Sequence, residues 1–268
     1  IAARLSAFGI ALIHQGLHRD LPACTLFPNT AIGMIAGQGE TMAETRARIN
    51  GVPDLTVDVI YRDIWTDINQ RALDPDIDLL YANLDPTLAA PTTDACQLNW
   101  NYLCRTIINY PTHIAPLWTL DRGANTCTNC HDTQGNTVEP AAQLELINLP
   151  SSANANHLES YRELLFPDFV EQVINGTLQR IQVQDTDANG NLLFLTDNEG
   201  NLILDGMGNP IPVMVFVPQA PPLSTLGARL SPRFYAPFAP GASHDGYLSP
   251  DELRLISEWV DIGAQYYN

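Results

Sequence analysis

Residues Cys127, Cys130 and His131, in the stretch "NTCTNCHDT" (125–133), place two of the five cysteines and one of the six histidines within five positions. Two thiols at this spacing can add to the two vinyl groups of a haem as thioethers, and the histidine that follows then lies beneath the iron as its proximal ligand. Two other chemistries use a CxxC pair. A structural zinc site needs a second ligand pair, and the remaining cysteines, at 24, 96 and 104, form no second CxxC. A redox dithiol of the thioredoxin type would follow a strand, whereas "TLDRGANTC" reads as loop. The motif therefore predicts one covalently bound c-type haem.

Such an iron has a second axial position. His244, in "APGASHDGYLSP", stands on a short loop just before a capped helix, which could hold an imidazole firmly; a plain residue at the helix start is the alternative. His113, in "NYPTHIAPLW", precedes the motif closely enough to ligate the iron, or to hydrogen-bond a propionate or a backbone carbonyl. His14, His18 and His157 complete the histidines, and Met34, Met42, Met207 and Met214 the methionines. Met207 and Met214 fall in a region of hairpins that could drape over a haem. A methionine ligand would raise the reduction potential relative to a second histidine.

A second ion site is suggested by Asp185, Asp187 and Asn189, which with Gly190 reproduce the first half of a calcium loop. The bidentate acid at its twelfth position is missing, because Thr196 stands there. A polar hairpin turn is the competing reading, supported by similar turns at Asp197 and Asp205.

The remaining cysteines suit an oxidising compartment, where haem attachment of this kind takes place. Cys96 and Cys104, in "CQLNWNYLC", are the expected disulfide pair, leaving Cys24 as a buried thiol or an alternative partner. "LPAC" at 21–24 loosely matches a lipoprotein cleavage box, but "LHRD" before it interrupts the apolar run that such a signal needs. The first twenty residues also lack the charged start and small-residue cleavage site of a secretory signal, which suits a mature product or a fragment.

These groups must be positioned by a chain of 268 residues, enough to bury a sizeable core. Thirty Asp and Glu face thirteen basic residues, all Arg, for a formal net charge of −17. That balance disfavours nucleic acid and anionic membrane surfaces as partners and favours basic partners or divalent cations. No run of eighteen apolar residues occurs, so no membrane span is expected. The start, with Ile1, Leu5, Phe8, Leu12 and Ile13, reads as an amphipathic helix, and "GETMAETRARING" as a second, stopped by Gly51 and Pro53. Residues 51–107 are rich in Asp and Pro and read as wrapping loops. "HLESYRELLFPDFVEQVING" reads as a helix with Val170, Val173 and Ile174 on its apolar face, kinked or split by Pro167. Residues 181–217 alternate apolar runs with Asn-Gly and Glu-Gly turns, a β-hairpin pattern. The final helix has Ser249 as N-cap, Pro250 at its first position and Glu252 closing a capping box.

The combination of "IINYPTHIAPLW", "CTNCH", "YRELLF", "LSPRFYAPFAPG" and "HDGYLSPDELRLISEWVDIGAQYYN" resembles a group of secreted bacterial cytochromes, the hydrazine-synthase alpha-subunit-like cytochrome c domain proteins, over roughly residues 37–268. The resemblance implies that a histidine near the closing helix supplies the distal ligand, which favours His244. This chain has one CxxCH where the synthase subunit has two, so hydrazine chemistry is not carried over.

The expected fold is mainly α. It has an N-terminal helical and loop-rich extension over 1–107 and a cytochrome-c-like haem domain over 108–268, with a β insertion at about 181–217. The expected function is electron transfer in the periplasm or at the cell surface, with other cytochromes as redox partners. A haem enzyme or gas sensor with an open sixth position is the alternative. An assembly role, as a homo-oligomer or filament joining haems across subunits, is a third.

Overall fold

The computed structural model describes residues 37–51, 55–63, 72–134 and 139–267. The expected first helix, the "LPAC" segment with Cys24, His14, His18 and Met34 lie outside the described residues. The chain divides into two compact units, residues 1–83 with 92–106 and residues 84–91 with 107–268.

In the first unit, α1 (Met42–Asn50) begins at Thr41, whose hydroxyl accepts from the Glu44 backbone while the Glu44 carboxylate reaches back to the Thr41 N–H. This reciprocal cap satisfies two donors that the first turn leaves free, and Gly51 ends the helix. Strands β1 (Val59–Tyr61) and β2 (Ile77–Leu79) pair antiparallel. A short helix, α2 (Asp94–Leu98), starts on the Thr93 hydroxyl. Cys96, on this helix, is joined to Cys104, with the sulfurs 2.08 Å apart.

The second unit is organised around Tyr110, which is fully buried. It lies in a single π-helical turn (Tyr110–Ile114) that runs directly into α3 (Ala115–Thr119). The Tyr110 ring packs against Tyr161 at 5.0 Å, Trp259 at 5.1 Å and Tyr266 at 5.9 Å between centroids. Tyr161 comes from α4 (Glu159–Leu165). Aromatic side chains can be buried this deeply only if their polar atoms find partners. Trp118 Nε1 donates to the Tyr110 hydroxyl, Trp259 Nε1 to the Gln265 carbonyl and the Tyr161 hydroxyl to the Ala264 carbonyl.

The rest of this unit is a β projection. It comprises β3 (Asp168–Phe169), β4 (Glu171–Ile174), β5 (Thr177–Arg180), β6 (Gln182–Gln184), β7 (Met214–Phe216) and β8 (Pro218–Gln219). They form antiparallel pairs β3–β8, β4–β5 and β6–β7. Their backbones also close into three-membered hydrogen-bond rings. Val170 N–H donates to Val217, Val217 to Ile181 and Ile181 back to Val170. Asp185, Val213 and Leu193 repeat the ring, and so do Leu195, Ile211 and Ile203. A closed ring satisfies backbone groups that an open strand edge would expose. The chain then returns through α5 (Pro232–Tyr235) to α6 (Pro250–Asp261).

A mainly α fold is not what forms. The chain is 29% helix and 16% strand, with six α-helices and four two-stranded sheets among the described residues. The difference arises chiefly after Leu165. Pro167 ends α4 rather than kinking it, because proline cannot continue the hydrogen-bond ladder. Val173 and Ile174 then lie in β4, and Asn175-Gly176, both at positive φ, turn the chain into β5. Asn-Gly favours the tight hairpin turns that need positive φ, and it overrides the helical spacing of the apolar residues before it. Strand structure therefore runs from 168 to 219, more than the expected insertion.

Candidate functional site

Within the second unit a cavity of about 280 Å³ is lined by Cys127, Cys130, His131 and His244, with Trp118, Leu146, Phe166, Phe234 and Phe238 among its apolar walls. An apolar cleft with a few convergent polar groups is the usual form of a cofactor site.

The CxxCH segment is held from both sides. A 3₁₀ turn at Gly123–Asn125 leads to a second at Cys127–Asn129, and the backbone N–H groups of Cys130 and His131 both donate to the Cys127 carbonyl. Asn129 Nδ2 donates to the Gly123 carbonyl at 2.8 Å, tying the two turns. Arg122 anchors the start. Its guanidinium donates to the Leu117 carbonyl at 2.7 Å and to Glu252 Oε1 at 2.6 Å, with both side chains largely buried. The other Glu252 oxygen accepts from the Ser249 N–H. One carboxylate thus closes the cap of α6 and fixes the approach to the cysteines. Beyond the motif, the Cys130 carbonyl accepts from Ala141 and the His131 carbonyl from Leu146.

Cys127 and Cys130 are free thiols. Burial pushes the Cys127 thiol above its ordinary value, against the pull of Arg122. His131 Nδ1 lies 2.9 Å from the Leu144 carbonyl. A carbonyl only accepts, so Nδ1 carries the proton and Nε2 keeps its lone pair for a metal. Burial is the main influence holding His131 below the usual histidine range, which favours the neutral, ligating form. His244 Nδ1 is engaged by the Ser243 hydroxyl at 2.8 Å. The two imidazole ring centres are 6.2 Å apart at an interplanar angle of 33°. With metal–imidazole distances of about 2 Å on each side, two rings sharing one ion place their centres about 6 Å apart.

The donor set suits a haem better than a bare ion. Among the described residues no group of three or more His, Cys, Asp and Glu is placed to hold a metal ion. A porphyrin would bring four ring nitrogens, so His131 and His244 could hold its iron, and the two free thiols are the groups that would bond its vinyl carbons.

The other expected ligands lie elsewhere. His113 is buried and is not among the residues lining the cavity. Its Nδ1 accepts from the Asn109 N–H at 2.9 Å and burial lowers its pKa, so it is a core histidine bracing the π-helical turn. His157 packs among Tyr161, Phe166 and Tyr266. Met207 and Met214 are exposed on the β projection, 87% and 45% respectively. Asp185, Asp187 and Asn189 form the polar turn. Asp187 Oδ1 accepts from the backbones of Asn189 and Asn191, and Oδ2 from the Asn191 side chain. Asp197 and Asp205 repeat this arrangement with Asn201 and Asn209. These carboxylates therefore serve the backbone, and each turn needs a glycine at positive φ (Gly190, Gly200 and Gly208, +83° to +87°).

Several residues that line or brace the cavity had no motif to mark them. Glu252 is legible as a capping residue, but its pairing with Arg122 spans 130 positions. Leu144 contributes only its carbonyl, and Glu163 reaches the cavity from α4. A comparison with protein families, curated proteins and solved structures finds no match to this chain.

Proposed function

We propose that the chain is a monohaem c-type cytochrome that carries one electron at a time between redox proteins, other cytochromes among them, in the periplasm or at the cell surface. Cys127 and Cys130 would hold the haem covalently, with His131 and His244 as its axial ligands. The observation that carries this reading is the pair of imidazoles 6.2 Å apart in a cavity that also presents two free thiols.

When bound, the haem supplies a one-electron couple. The chain's own residues do the rest. Leu144 and Ser243 fix the orientation of the two imidazoles, which limits reorganisation when charge changes. Trp118, Phe234 and Phe238 make part of the cavity wall apolar. If His131 and His244 both held the iron, no coordination site would remain for substrate, which favours transfer over catalysis. The Cys96–Cys104 pair supports an oxidising compartment. Among the described residues no helix is long and apolar enough to cross a membrane.

The test is the purified protein from a host that attaches haem. A low-spin, six-coordinate spectrum unchanged by carbon monoxide, with the macrocycle's mass retained after denaturation, is the expected result. A high-spin haem that binds carbon monoxide would favour the enzyme or gas-sensor reading. A colourless protein would remove both. His244→Ala should convert the spectrum to a ligand-binding form, whereas His113→Ala should leave the axial ligands unchanged.

A further inference from the structure

We propose that the protein takes up a proton with each electron, and that the Glu163 carboxylate is the group that receives it. The proposal rests on the reading of the cavity as a haem site.

Glu163 lines the same cavity as Cys127, Cys130, His131 and His244. It sits on α4 directly before the fully buried Leu164. Among the described residues no ion pair holds it. The charged groups around it are mostly acidic. Asp168 comes from β3 and Glu171 from β4, with Arg180 of β5 at 3.7 and 3.6 Å from them. Glu145, in the segment before α4, accepts from the Thr133 hydroxyl. Glu159 and Arg162 lie on α4 itself, the Arg162 guanidinium being 4.1 Å from the Phe166 ring centre. From α5, Arg233 also lines the cavity and donates to the Ala220 carbonyl. Burial, then the charge of Asp168, pushes the Glu163 carboxyl up to about 8, against a hydrogen bond from the Glu145 backbone; Glu159 and Glu145 add to the rise. Its protonation therefore changes near neutral pH rather than in the usual carboxylate range.

An electron entering a largely apolar cavity adds one negative charge where screening by water is weaker than in bulk. A carboxylate lining that cavity becomes more costly to keep ionised. Where Glu163 is ionised in the oxidised protein, each electron received from a one-electron donor protein draws one proton from solvent onto its carboxylate, forming an O–H bond. When the electron leaves to a one-electron acceptor, that bond breaks and the proton returns to water. The cavity keeps the same net charge in both states.

The test is the reduction potential of the haem-loaded protein from about pH 4 to about pH 9, a range spanning ordinary and raised carboxyl values. The potential should fall with rising pH, and Glu163→Gln should lose that slope. Asp168→Asn removes the neighbouring charge and should move the sloping region to lower pH, which keeps the test available should Glu163→Gln misfold. An infrared difference spectrum between reduced and oxidised protein should show a carboxyl C=O band that Glu163→Gln lacks. If haem is bound by both histidines and Glu163→Gln keeps the full slope, or Asp168→Asn leaves the sloping region in place, the proton role is overturned and the cytochrome reading stands. If no haem is bound, both fall together.

Discussion

The aromatic core around Tyr110 and the β projection over residues 168–219 belong to the same unit, yet different forces hold them. In the core, Tyr110, Trp118, Leu164, Leu255, Ile256 and Trp259 are each at most 1% exposed. Fully burying a large apolar side chain contributes roughly 1.5–3 kcal/mol, so this region is held by side-chain packing. In the projection, Leu192, Leu202 and Leu204 are 51–55% exposed. There, closed backbone rings and Asp–Asn turns maintain the shape. Most of the cavity wall comes from outside the projection, which contributes Asp168 and Gln219; the projection needs few buried side chains and leaves apolar side chains exposed.

The widest gap between the regions is expected from truncating a side chain in each. Trp259→Ala should cost about 3–5 kcal/mol, and Leu204→Ala within about 0.5 kcal/mol, both read from denaturant unfolding. Similar costs would break the contrast.

The two regions should also respond oppositely to pH. Glu163, on the core side, has its carboxyl raised to about 8. The folded state then holds a proton that the unfolded chain releases, so stability present below the ordinary value of 4.5 is lost as pH rises toward about 8. Asp187, Asp197 and Asp205 are lowered by hydrogen bonds from their turns. Their contribution is present above the ordinary 3.8 and is lost as pH falls through their lowered values. Hydrogen exchange of the projection should therefore accelerate first in acid. Global stability should weaken toward mild alkali, less so in Glu163→Gln. Parallel pH profiles for that variant and the parent would refute the second half.

Removing the Tyr110 hydroxyl tests whether the core depends on its polar partners. Tyr110→Phe leaves the buried Trp118 N–H without its acceptor and should cost about 1–3 kcal/mol. The smallest effect sharpens the link between core and cavity. Ser249→Ala removes the α6 cap, expected to cost about 1 kcal/mol. Because Glu252 also holds Arg122, the amide signals of Gly123 and Thr126 should shift with it; shifts confined to α6 would argue against that coupling.

What could be read in the sequence follows the same division. The cap at Ser249, the Cys96–Cys104 pair and the turns at Asp187, Asp197 and Asp205 depend on residues within a few positions of one another. Local chemistry decides them, so they are legible. The helix expected through Val173 and Ile174 failed because apolar spacing alone did not weigh Pro167 and Asn175-Gly176 heavily enough. The π-helical turn at Tyr110 carried no signal, since nothing local marks a backbone shaped by three rings from distant segments.

The sequence by itself determined the chemistry available at Cys127, Cys130 and His131, because thiol spacing and the adjacent imidazole are covalent facts. Only the tertiary structure decided that His244, 113 positions later (244 − 131), faces His131 while His113 does not, and that Glu163 joins them. Which distant side chains meet is set by packing of the whole core around Tyr110, and that free energy is not contained in any short stretch of the chain.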